Sequence, residues 1–66
     1  MDRRVLETIA SSIIREIFSD GAKNNIIFMI ERELRKKVPE YDNLLSKHQK
    51  SLVAETHDFL RMVVGL

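Results

Sequence analysis

The chain has no cysteine and no tryptophan, one proline and two glycines. Each scarcity removes a class of protein. Without cysteine there is no disulfide framework and no thiolate metal site. With glycine confined to Gly21 and Gly65 there is no glycine-rich phosphate loop, and neither G-x-S-x-G nor H-E-x-x-H occurs. No sign of charge dominates: 11 Lys and Arg face 10 Asp and Glu, for a net charge of +1. Dedicated nucleic-acid domains are usually far more basic. No apolar run approaches the roughly 18 residues that a membrane span needs, so no membrane partner is expected. The opening Met1-Asp2-Arg3-Arg4 leads into an amphipathic segment, not a signal-peptide core, which points to a cytoplasmic protein.

The 66 residues are 44% hydrophobic and 32% charged, the balance of a folded domain rather than a disordered one. They amount to a single helical domain, residues 1–66. A chain this short buries only about 60% of its unfolded surface, so its own core is marginal. Without disulfides, its stability has to come from good helix packing, self-association or both.

Gly21 and Pro39 divide the chain into three periodic blocks. In the first, Val5, Leu6, Ile9, Ala10, Ile13, Ile14, Ile17 and Phe18 recur at helical spacing. This predicts a helix over about 2–18, capped by Asp2. Ser19 or Asp20 then caps the next helix, and Gly21 eases the turn. The second block predicts a helix over about 22–38, buried along Ile26, Ile30 and Leu34 and widened by Ile27 and Val38. Phe28 falls roughly opposite that line and needs a second surface to cover it. Arg35, Lys36 and Lys37 sit in the last turn, where the helix dipole favours cations.

Pro39 ends this helix, because the residue before a proline is biased away from helical geometry. A short fourth helical turn can follow between Pro39 and Leu45. The third helix has two candidate starts: after a cap at Asp42, or at the capping-box pattern Ser46-Lys47-His48-Gln49. The first is favoured, giving a helix over about 43–65. Its expected buried stripe is Leu45, Leu52, Phe59, Met62, Val63 and Leu66, with Leu44, Val53 and Leu60 alongside. The fold class is therefore all-α: a small three-helix bundle, up-down-up, expected to associate into a helical dimer.

Residues able to do chemistry are sparse. His48 and His57 are nine apart and lie on different sides of one helix, so the i, i+4 metal pair is missing. Glu55, His57 and Asp58 form a metal set only if another chain completes the geometry, and His57 reads instead as a surface histidine. His48 and Glu55 read as polar residues at the rim of the core. No enzyme, no cofactor and no metal site is expected.

Two surfaces remain. Arg32, Arg35, Lys36 and Lys37, with Lys47, His48 and Lys50 beyond the turn, form a basic end that contacts phosphate through charge alone, diluted by Glu31 and Glu33. The second is an apolar surplus: Ile14, Phe18, Phe28, Met29, Leu60 and Val64 lie at or beyond the margins of the main stripes. Contiguous exposed apolar residues mark partner surfaces. The strongly apolar run Phe59 to Leu66 points the same way, toward a core shared with another subunit or an excised domain. The expected function is thus a non-enzymatic protein–protein interaction or oligomerisation module. Its candidate anchors are Phe28, Met29, Phe59 and Met62, and its partner is a second copy or another protein. The alternative is a small dimeric nucleic-acid-binding regulator using Arg32, Arg35, Lys36 and Lys37.

Overall fold

Asp2 starts the first helix. Its Oδ1 accepts from the Arg4 amide at 2.8 Å, satisfying one of the free N–H groups that every helix start leaves open. The helix, α1, runs Arg3–Asp20 and buries Leu6, Ile9, Ala10 and Ile13 along one face. The structure is a computed structural model and describes residues 1–20 and 25–65. The expected turn at Gly21 and positions 22–24 of the expected second helix lie outside the described residues, but Asn25 is described and non-helical (φ −130°, ψ 49°), so the second helix does not run on from Ala22 as expected. Ser19 is inside α1 and so does not cap the second helix.

The second helix, α2, runs Ile26–Lys37, with Asn25 at its N-cap. It buries Met29, Ile30, Glu33 and Leu34. It ends one residue earlier than expected. Val38 takes extended geometry (φ −120°, ψ 90°), the conformation forced on a residue that precedes proline. The expected fourth turn is present as a 3₁₀ helix, Tyr41–Asn43. The third helix, α3, runs Ser46–Val64. It closes on Gly65 in left-handed geometry (φ +70°), whose amide reaches the Arg61 carbonyl at 2.8 Å. Glycine adopts that conformation without the steric cost that a Cβ brings.

α1, α2 and α3 all pack on one another. Their shared centre is Ile9 and Ile13 from α1, Ile30 and Leu34 from α2 and Leu60 from α3, all fully buried. Complete burial of such a side chain is worth roughly 1.5–3 kcal/mol. Tyr41 plugs the core from the 3₁₀ turn. The described residues thus form an all-helical three-helix bundle, and no helix among them is long and apolar enough to cross a membrane.

Two expectations about α3 are corrected. It begins at Ser46, not after an Asp42 cap, and Gln49 does not close a capping box on Ser46. Its side-chain amide donates instead to the Tyr41 carbonyl at 2.7 Å. The buried line differs in part: Leu52 and Phe59 pack against the core as expected, but Thr56 and Leu60 are its fully buried members, while Leu45, Met62 and Val63 are exposed. Leu66 lies outside the described residues. The phase shift hinges on Thr56, a polar residue at zero exposure. Its hydroxyl donates to the Leu52 carbonyl at 2.8 Å, so it enters the core with its hydrogen bond made.

A pair of truncations separates the two phases. Leu60→Ala is expected to cost about 3 kcal/mol, from lost burial plus the cavity left behind. Met62→Ala should change stability by less than about 0.5 kcal/mol. Urea unfolding of the two variants checks this; the expected stripe would reverse the order.

Candidate functional site

The basic end is built on the last two turns of α2, and its charges are largely spent within the chain. Arg32 pairs with Glu16 of α1 through Nη2, and its Nε lies 3.6 Å from the Glu33 carboxylate. Lys36 reaches Glu33 at 3.5 Å. Arg35 donates through Nε to Asp42 at 2.9 Å and lies 3.6 Å from Glu31. Its guanidinium also sits over the Tyr41 ring, 5.4 Å from the centroid. The Asp42 hydrogen bond, first among several effects, raises the Arg35 pKa further. Of the four candidate phosphate contacts only Lys37 has no ion-pair partner among the described residues. Arg15 of α1 joins Arg32, Lys36 and Lys37 around a shallow depression that also holds Glu16 and Glu33.

The four candidate anchors separate. Phe28 is 64% exposed and Met62 83% exposed. Met29 is a correction: at 4% exposure it belongs to the core, and an anchor already buried has no free surface to offer. Phe59 is half-buried and packs against the core. Leu60, placed at the margin by periodicity, is at the centre of the core, whereas Phe18 is exposed as expected.

A groove of about 510 Å³ lies between α2 and α3, and one large exposed apolar residue, Ile27, lines it. Ile27 and Glu31 line it from α2, Val53, Ala54, His57 and Asp58 from α3, and Tyr41 closes one end. Phe28, one turn before Glu31 on α2, is not among the residues that line the groove. Asp58 also lines a second depression with Arg61 and Met62. The groove and this second depression thus share Asp58. Sequence periodicity missed the roles of Ile27, Val53 and Ala54 here. Only the pairing of α2 with α3 reveals which side of each helix shares a groove.

Of the remaining polar candidates, His48, expected at the rim of the core, is exposed. Glu55 receives the Met1 amino group at 3.2 Å. Glu55, His57 and Asp58 do not converge, and no group of three or more such ligands gathers among the described residues.

Comparison of the chain with protein-family models, with curated proteins and with solved structures finds no match.

Burial pushes the Tyr41 phenol above its ordinary value of about 10, aided by Glu31 and Asp42 and opposed by Arg35. A raised folded-state pKa favours the protonated form. Its stabilising contribution is complete below pH ~10 and is lost as pH rises through the folded value. Tyr41→Phe should therefore remove part of the stability loss seen above pH ~10. Denaturation midpoints measured from about pH 8 to about pH 11.5 test this; parallel profiles would show that Tyr41 ionises alike in both states.

Proposed function

We propose that the chain is a non-enzymatic protein–protein interaction module that works by covering the α2–α3 face. The carrying observation is that α2 and α3, the two helices that frame the groove, leave Phe28 and Met62 64% and 83% exposed, with Ile27 among the groove's lining residues. Leaving large apolar side chains in water forgoes burial energy, and a contiguous set of them favours a partner. Flexible methionines and rigid aromatics suit such contacts. The face is edged by both signs of charge, Glu31 and Asp58 against Lys50, so it does not favour a strongly acidic or strongly basic partner.

The nucleic-acid reading is weaker. Arg32, Arg35 and Lys36 already have carboxylate partners, and phosphate contact would have to compete with them. Titration onto duplex DNA at about 50 mM salt is expected to show no binding. Salt-sensitive binding that drops on charge reversal of Arg35 and Lys36 would instead favour this alternative.

Light scattering after size exclusion, over a concentration series, tests the interaction reading. A mass above the 7.7 kDa of one chain is expected at micromolar concentration. Phe28→Asp should return it to one chain. If that variant leaves both mass and melting temperature unchanged, Phe28 is not in an interface and the reading fails.

A further inference from the structure

Along the outer side of α3, residues four apart form one row: Ser46, Lys50, Ala54, Asp58 and Met62. All five are exposed. Such an i±4 row forms a ridge on the helix surface. Reversed end to end, the charges of this ridge are their own complement. Lys50 lies four residues before Ala54 and Asp58 four residues after it. Neither has an ion-pair partner among the described residues. Ala54, at the centre, has a side chain small enough for two helix backbones to approach closely. The ends carry exposed apolar residues: Leu45, 61% exposed, just before the helix, and Met62, 83% exposed, near its end.

We infer that the occupant of this face is a second copy of the chain, docked with its α3 antiparallel to the first and with Ala54 on the two-fold axis. This rests on the interaction reading above and names its partner. The symmetry forms the Lys50–Asp58 pair twice and brings Met62 of each copy over Ser46 and Leu45 of the other. A two-fold interface uses the same patch on both subunits, so a patch complementary to itself is what it requires. A parallel arrangement would set Lys50 against Lys50 and Asp58 against Asp58, which like-charge repulsion disfavours. Lys47 and Arg61, which the antiparallel symmetry also relates, stand on the rows flanking the ridge. Ile27 of α2 lines the same groove as Ser46, Lys50, Ala54 and Asp58 and is covered with them.

The absence of native cysteine makes the two-fold axis directly testable. A residue on that axis meets its own copy, so Ala54→Cys should cross-link rapidly to a disulfide dimer under mild oxidation. Ser11→Cys, exposed on α1, should not. Lys50→Asp and Asp58→Lys should each weaken association at least about tenfold by opposing like charges, and the double variant should restore it. Sedimentation over a concentration series reads both, and circular dichroism confirms that each variant keeps its helices. Equal cross-linking of the two cysteine variants, or a double variant no better than the singles, overturns this geometry. If Phe28→Asp still dissociates the oligomer in that case, the interaction reading stands and only the α3 pairing falls. A wild-type chain that stays monomeric throughout overturns the pairing as well.

Discussion

Tyr41 ties together the parts of this bundle that no continuous helix connects. Its ring is nearly fully buried beneath the ends of α2 and α3, with the Arg35 guanidinium over it. Its amide bonds the Val38 carbonyl at 2.9 Å, and its own carbonyl accepts from Gln49 at 2.7 Å. One residue thereby receives the chain leaving α2 and holds the first turn of α3. Pro39 sets this up by stopping α2, and the 3₁₀ turn carries the tyrosine back under the core. α3 starts at Ser46, just beyond this anchor, with Leu52, Thr56 and Leu60 turned inward and the row from Ser46 to Met62 outside.

The charges of α2 are arranged so that its basic last turn need not bind anything. Glu33 is buried to 5% exposure between Arg32 and Lys36, and Glu16 and Asp42 reach across from neighbouring elements. These contacts pin α1 and the 3₁₀ turn against α2 while lowering the field that phosphate would feel. The dipole of α2 gains from the cations at its end whether or not a ligand is present. The exposed apolar side chains of α2 and α3, Ile27, Phe28, Met62 and Val63, lie outside this basic end.

Much of the core was legible from spacing. In α1, Leu6, Ile9, Ala10 and Ile13 recur as a helical stripe and are buried as one. In α2, Ile30 and Leu34 do the same, and Phe28 stands opposite them in the open. Asp2 as a cap, Pro39 as a stop and a helical turn before Leu45 could each be read from local chemistry. α3 was less legible because its residues are apolar on more than one side. Periodicity favoured Met62 and Val63 over a line containing a threonine, yet Thr56 satisfies its hydroxyl inside its own helix and is admitted to the core. The candidate site was legible in part: Phe28 and Met62 are exposed, but Met29 belongs to the core, and Ile27, Val53 and Ala54 gave no signal as groove residues.

The sequence by itself determined the helical class, the Asp2 cap, the stop at Pro39, the burial face of α1 and the Ile30–Leu34 line of α2, because these depend on residues within a turn or two of one another. Tertiary structure alone decided the rotation of α3, the pairing of the basic residues of α2 with carboxylates from other elements, and the groove that joins Ile27 to Ala54. Each of these is a contact between residues far apart in the chain. Their energies depend on which faces meet, and spacing along one helix does not contain that information.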